Sequence, residues 1–296
     1  MSASVIVTGG NGQVATALKH LRSNLSYEFV DRSELDICCP RAVVECFAAK
    51  KPSLVINAAA FTAVDGAEND PQSALRVNHL GPEILATACA KRQIPLIHLS
   101  TDYVFDGTSN CPYSEVEEAC PVGTYGRTKF DGEEGVRAKL GGHVILRLSG
   151  IFSGYANCFP RSILKAALRY AELKIVDDQI TGPTSAYSIA IILDLISQRV
   201  LNGNFSWGTY HFAQQHFLTW FEFAQIIIEQ AENLDPRFSD KKVSPITTEE
   251  YGALAPRPKY SCLDSSKLLK ELELDASILD READLDDAIR SIISTL

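Results

Sequence analysis

The strongest constraint on this chain is the alternation in its first 150 residues. Short apolar, β-branched runs at 5–8, 27–30, 54–57, 96–100 and 144–147 are separated by helical patterns at 13–23, 41–50, 72–92 and 122–139. Strands that are apolar almost throughout must be covered on both faces, and the intervening helices supply that cover. Right-handed crossovers between parallel strands then predict an α/β fold, a Rossmann-like doubly wound parallel sheet. After residue 150 the alternation is less regular. It predicts a helix at 160–172, a strand at 173–176, a very apolar helix at 185–200 and a strand at 209–213. A helix at 220–231 follows, opened by Thr219 and Glu222 as a capping box. Pro245, Pro256 and Pro258 mark a loop-rich tail before a helix opened by Asp264 and another near 284–294. No repeat or low-complexity linker interrupts the 296 residues. The expected organisation is an NAD(P)-binding domain over 1–150 and a smaller, mixed substrate lobe over 151–296, with segments returning to the first domain.

Charge narrows the partners. With 28 Lys+Arg against 37 Asp+Glu, the net charge is −9, a field that repels phosphate backbones and anionic lipid. No segment approaches the ~18 apolar residues needed to span a bilayer. Neither nucleic acid nor membrane is an expected partner. The first strand begins almost at Met1 without a signal-like front, so the chain reads as cytoplasmic. Eight cysteines form no C-x-x-C pair, which favours free thiols, and no metal is assigned.

The chemistry-bearing residues fall at strand ends. Thr8-Gly9-Gly10-Asn11-Gly12-Gln13-Val14-Ala15 joins the first strand to the first helix. A dinucleotide pyrophosphate needs small residues there, so that backbone amides and the helix N-terminus can approach it. Asp31 ends the second strand, where a carboxylate accepts from the adenosine ribose, while the neighbouring Arg32 suits a 2′-phosphate. NADPH is therefore the expected cofactor, with NADH as a competitor. Asp36 and Ile37 lie one loop further on, toward the adenine. Asn57-Ala58-Ala59-Ala60 puts small residues at a strand's carboxyl end, letting a cofactor cross the sheet edge. Most telling is Ser100-Thr101-Asp102 followed by Tyr125-Gly-Arg-Thr-Lys129. Tyr and Lys four apart share one helix face. An adjacent ammonium is expected to lower the phenol toward neutrality, so that Tyr125 protonates a carbonyl oxygen that the Thr101 hydroxyl holds.

On Thr8–Ala15, Tyr125 and Lys129 the chain resembles the extended short-chain dehydrogenase/reductases. Four further stretches, Asn57–Asp65, Ser100–Gly107, Asp178–Thr184 and Arg257-Pro258 with Ser261 and Leu263, make it similar to the dTDP-4-dehydrorhamnose reductase family in particular. The resemblance implies NAD(P)H-dependent reduction of a 4-keto-6-deoxy nucleotide sugar, the last step toward dTDP-L-rhamnose for polysaccharides, by a possible homodimer. Carried over by position, it places Gly9, Asn11, Gly12, Gln13 and Val14 on the phosphates and Asp31, Arg32, Asp36 and Ile37 about the adenosine. Ala58, Ala59, Ala60, Phe61, Thr62 and Leu99 border the ribose and nicotinamide. Tyr125 becomes the proton donor, Lys129 also binds the nicotinamide ribose, and Thr101, Asp102, Phe105, Gln179 and Arg257 face the substrate. Phe61 stands where family members commonly have His, and Ala17 and Tyr187 where some bind magnesium. Gly150 stands at a family Trp, which implies a missing indole: either Phe152, Tyr155 or Phe159 refills the space, the more economical reading, or the pocket accepts a bulkier sugar.

Two other readings compete. One is a non-catalytic nucleotide-binding regulator similar to the regulatory subunit of methionine adenosyltransferase, which carries an N-terminal extension where this chain begins at its first strand. The other is a reductase or epimerase for another nucleotide sugar. Of the remaining residues, His98 reads as a satisfied core histidine and Trp220, Phe221 and Phe223 as core. The acidic stretch 280–287 reads as a solvated helix face.

Overall fold

A computed structural model describes residues 3–279 and 282–296. In chain order the first half runs β1 (Ser4–Thr8), α1 (Gln13–His20), β2 (Ser26–Val30), α2 (Pro40–Lys50), β3 (Leu54–Asn57), α3 (Val64–Asn69) and α4 (Pro71–Leu75). A π-helical turn (Arg76–Leu80) leads into α5 (Gly81–Arg92), β4 (Leu96–Thr101), α6 (Thr124–Lys139) and β5 (His143–Leu148). The second half begins with β6 (Ile151–Phe152), α7 (Phe159–Ala167), β7 (Glu172–Val176), β8 (Ile180–Thr181), β9 (Thr184–Ser185) and α8 (Ala186–Leu201). It continues through β10 (Gly208–Phe212), β11 (Leu218–Thr219), α9 (Trp220–Leu234), β12 (Lys242–Ile246), α10 (Thr248–Tyr251), α11 (Ser266–Leu272) and α12 (Glu282–Ile293).

Six strands form one parallel sheet in the order β10-β5-β4-β3-β1-β2. The order turns back at β1, and the carboxyl ends of β1 and β3 flank the place where a doubly wound sheet binds ligands. On one face α1 and α8 share a core with Val5, Val7, Leu54, Ile56, Val144 and Leu146. On the other, Ile6, Val55 and Leu96 pack with Phe47 of α2, Leu85 of α5 and Val136 of α6. Every side chain of β3 and β4 is buried, which is why these strands read as continuous apolar runs. A separate core joins α7, α9 and α12 through Phe152, Leu164, Phe223, Ile227 and Ile289. The capping box at Thr219 and Glu222 is present. No helix among the described residues is long and apolar enough to cross a membrane.

Three expectations are corrected by packing. The stretch 72–92 is not one helix, and Val64–Asn69 forms an unforeseen one before it. Asp70 accepts from Ser73 N and Pro71 restarts the chain as α4. The π turn then carries Asn78, whose side chain bonds both Phe61 N and Phe61 O and reaches Thr128 Oγ1 on α6. The acidic stretch is not a uniformly solvated face: Asp284 is buried and accepts from Ser188 Oγ at 2.6 Å, while Asp280 lies outside the described residues. His98 is fully buried and its Nδ1 pairs with Asn57 Nδ2 at 3.0 Å, but its Nε2 has no partner among the described residues.

Helix α6 lies unusually close to its neighbours. A Cβ at Gly126 would sit 2.1 Å from Tyr103 O, and one at Gly132 would sit 2.0 Å from Asn78 O. Both acceptors are backbone, so no side-chain rotation relieves the clash. Gly132→Ala gains helix propensity of about 1 kcal/mol but must displace α6. A net loss of about 2 kcal/mol or more is expected, read as a lower urea midpoint at unchanged slope.

Candidate active site

The carboxyl edge of the sheet opens into a cavity of about 730 Å³. Its floor is the turn after β1. Gly9 has φ +68°, and a Cβ there would lie 2.8 Å from Ala58 C, so the turn and the small-residue segment after β3 touch through glycine. Lys19 Nζ ties the turn down by donating to Gly10 O at 2.6 Å. Helix α1 starts at Gly12 with neither a capping side chain nor a carboxylate in its first turn. Its N-terminal amides and positive dipole end therefore suit an anion. Gly9, Asn11, Gly12, Gln13, Val14, Asp31, Arg32, Asp36, Ile37, Ala58, Ala59, Ala60, Phe61, Thr62, Leu99, Tyr125 and Lys129 all line this one cavity. The donor set fits a dinucleotide: an uncapped helix end for phosphates, with Asp31 and Arg32 beside it at the end of β2. Asp31 is fastened by Asn11 Nδ2 at 3.0 Å and by Ser33 N and Oγ at 2.8 and 2.6 Å, and these bonds hold its carboxyl below the usual range.

At the inner end, β4 and α6 bring the chemistry together. Lys129 is 2% exposed, and burial lowers its ammonium to about 8. Its Nζ donates to Leu99 O at 2.6 Å. Tyr125 lies beside Thr101, and burial, with the Asp102 charge, pushes the phenol up to about 12. The expected lowering of Tyr125 by Lys129 is thus not what the structure shows. Desolvation outweighs the ammonium, and Tyr125 holds its proton at neutral pH, the state a general acid needs. One turn beyond Lys129, Glu133 is buried against Arg147, with contacts of 2.9 and 2.7 Å, and accepts from Ser100 Oγ at 2.5 Å. This group anchors α6 to β4 and β5.

The substrate-side residues divide. Thr101 and Asp102 are buried and joined, Thr101 Oγ1 donating to Asp102 Oδ1 at 2.9 Å. Arg257 donates to Asp65 Oδ2 at 2.7 Å and to Ala255 O at 3.1 Å, near the Tyr103 hydroxyl. Gln179 is buried, and its Nε2 is used on Thr248 Oγ1 at 2.9 Å. Phe105 is corrected: it is fully buried, stacked on Tyr113 at 4.2 Å under the Arg147 guanidinium, and presents no surface to a ligand. The missing-indole expectation at Gly150 is also corrected. Gly150 has φ +53°, and a Cβ would meet Pro183 Cα at 2.9 Å, so no side-chain slot stands empty. None of the three aromatics refills it, because Phe152 and Phe159 pack on Phe223 and Tyr155 lies on His20.

Sequence reasoning missed Leu148, Ile151, Ala156 and Asn157, which also line the cavity. It also missed Ser149 as a partner of Asp102, at 2.8 Å. Ala156 and Asn157 come from the segment after β6 and carry no local motif. Glu133 had a signal, being four residues past Lys129 on the same helix face. Among the described residues no group of three or more His, Cys, Asp or Glu could hold a metal, and Ala17 is fully buried in the core.

Comparison with known proteins follows the same site. Residues 3–290 match the family model described as the RmlD substrate binding domain. The dTDP-4-dehydrorhamnose reductase of Aggregatibacter actinomycetemcomitans is 37% identical over 270 residues, 90% of this chain and 92% of that protein. The crystal structure of a dTDP-4-dehydrorhamnose reductase from Clostridium acetobutylicum superposes with a TM-score of 0.85 at 34% identity, covering 95% of this chain and 99% of that one. That of the Bacillus anthracis dTDP-4-dehydrorhamnose reductase in complex with NADP gives 0.86 at 30%, covering 95% and 98%.

The Gly150 geometry makes a direct prediction. Gly150→Trp combines a left-handed backbone with a backbone clash, so it should destabilise the fold by about 2–5 kcal/mol and lower activity. A thermal melt beside wild type checks this. An unchanged melting temperature with improved kcat/KM would show that a slot is vacant after all.

Proposed function

The chain belongs to the dTDP-4-dehydrorhamnose reductase family, and we propose that it reduces dTDP-4-dehydro-L-rhamnose to dTDP-L-rhamnose with NADPH. The observation that carries this reading is one continuous cavity running from the uncapped N-terminus of α1 to Tyr125 and Lys129. NADPH supplies hydride to the sugar's C4 when bound. Gly12, Gln13 and Val14 would hold its phosphates, Asp31 and Arg32 its adenosine end, and Ala58–Thr62 its ribose and nicotinamide face. Lys129, anchored by Leu99 O, presents its remaining N–H groups to the nicotinamide ribose. Tyr125 gives its phenolic proton to the keto oxygen as the carbon receives hydride, and the O–H bond of the phenol is the one that breaks. The first 150 residues then act as the cofactor half. Residues 151–296 mainly shape the substrate side, through Thr181, Ser261 and Arg257 around Asp102 and Tyr103.

Oxidation of NADPH against a panel of 4-keto nucleotide sugars tests the substrate. Tyr125→Phe should lower kcat by about 10²–10⁴ with cofactor affinity little changed, because the ring stays and only the proton is lost. Wild-type turnover in that variant would remove Tyr125 from the mechanism. At the other end of the cavity, Arg32 suits a 2′-phosphate while Asp31 opposes it, so kcat/KM for NADPH and NADH should differ by less than roughly 1000-fold. Arg32→Ala should cost about tenfold with NADPH and leave NADH unchanged. Equal losses with both cofactors would place Arg32 outside phosphate recognition.

A further inference from the structure

The proton donor sits in the least supported turn of its helix. Tyr125 is the second residue of α6, and the first amides of a helix have no partner within it. The cap position supplies none, because it is Gly123, and a Cβ there would crowd Pro256 O at 3.0 Å. Nor does the first turn of α6 carry a carboxylate of its own. The cap comes from another element. Glu68 of α3 accepts from Thr124 N at 2.6 Å through one oxygen and from Thr124 Oγ1 at 2.7 Å through the other. Arg127 donates to the same Thr124 Oγ1 at 2.9 Å. The Thr124 amide, with the Thr124 hydroxyl and the Arg127 charge, holds the Glu68 carboxyl below its usual range.

We infer that Glu68 is a positioning residue for the reduction: capping α6 from α3, it fixes the first turn of that helix and so aims the Tyr125 hydroxyl at the keto oxygen. Glu68 is not among the residues that line the cavity, so it acts through Tyr125. The inference deepens the proposed reduction and rests on it.

Two sets of contacts give the cap this particular role. The first fastens α3 itself. Asp65, one turn before Glu68, accepts from Ala255 N at 2.9 Å and from Arg257 Nη2 at 2.7 Å. Ala67 between them is fully buried. Glu68 therefore projects from a fixed element toward α6. The second set holds the rest of α6 independently of the cap. Asn78 donates to Thr128 Oγ1, Lys129 donates to Leu99 O at 2.6 Å, and Glu133 is bonded by Ser100 and Arg147. Losing the cap loosens the turn that carries Tyr125 and leaves Lys129 in place. A misplacement of about 1 Å at a reacting group can lower a rate on the order of 10²-fold. Proton delivery should suffer, and NADPH binding should not.

The experiment is a double-mutant cycle on keto-sugar reduction that combines Glu68→Ala with Tyr125→Phe. NADPH affinity and a thermal melt are measured for each protein. With Tyr125 present, Glu68→Ala should lower kcat by about 10–100-fold at unchanged NADPH affinity. In the Tyr125→Phe background the same change should cost less than about threefold, because no phenolic proton remains to be aimed. Glu68→Gln should restore most of kcat, since its amide oxygen can accept from Thr124 N while its NH2 donates to Thr124 Oγ1. A cap that only stabilises the fold would lower the melting temperature and cost the same factor in both backgrounds, and that result overturns the inference. Wild-type kcat in folded Glu68→Ala overturns it as well, and so does an equal loss of kcat and NADPH affinity. Should Glu68→Ala not fold, Thr124→Val replaces it in the cycle and removes only the hydroxyl arm of the cap. It should lower kcat at least about threefold with Tyr125 present and leave the Tyr125→Phe rate unchanged; equal effects in the two backgrounds sink the idea. Wild type that binds NADPH but reduces no keto sugar would defeat the reduction reading and the inference with it, whereas the other failures leave the reduction standing.

Discussion

The approach of α6 to its neighbours is the constraint on which the site depends. Tyr125 and Lys129 reach the cavity because Gly126 and Gly132 let the helix backbone rest against Tyr103 O and Asn78 O. Any side chain at either position would push the helix outward and draw the phenol away from Thr101. The π turn belongs to the same arrangement. It delivers Asn78 to Thr128 on α6 and to both backbone groups of Phe61, so that one amide fixes the helix relative to the loop lining the cavity. Glu133 completes the anchorage by bonding Ser100 and Arg147 from the two strands beneath. Removing one member of such a buried ion pair strands the other, which typically costs about 3–5 kcal/mol.

Burial then decides the proton chemistry. Inside the closed end of the cavity, desolvation raises Tyr125 and Asp102 and lowers Lys129, each toward its neutral form. The result is a site rich in hydroxyl groups and poor in free charge, where the direction of each hydrogen bond matters more than net electrostatics. Thr101 sits at the junction, and its single proton cannot serve both a carboxylate and a keto oxygen. Polar contacts from the second half of the chain hold this arrangement. Thr181 and Gly182 N reach Ser149, which in turn holds Asp102.

Much of this was legible in the linear chain. Parallel strands buried on both faces leave continuous apolar runs, and a glycine turn at the first strand end marks a phosphate site. Those local rules located the five strands of the first half, the cavity-lining turn and the Tyr125–Lys129 face. The regularity failed between 61 and 80. There Asp70 and Pro71 interrupt one helix and start another, and the π turn exists to serve contacts with Phe61 and Thr128 that lie 17 and 50 residues away. Phe105 was misread for the same reason. Its neighbours in sequence face the site, but its ring is consumed by Tyr113 and Arg147.

The sequence alone determined the first-half strands, their crossovers and the helix face that carries Tyr125 and Lys129, because periodicity, turn chemistry and a four-residue helical spacing are local properties. Only the tertiary structure decided the protonation states and hydrogen-bond directions. Burial of Tyr125 overrides the expected pull of Lys129, and the partners of Asp102 arrive from residues 149 and 261. It also decided that Gly150 is a backbone requirement, since the clash that forbids a side chain comes from Pro183 on a separate segment. Desolvation and close approach depend on which distant segments meet, and no local spacing encodes them.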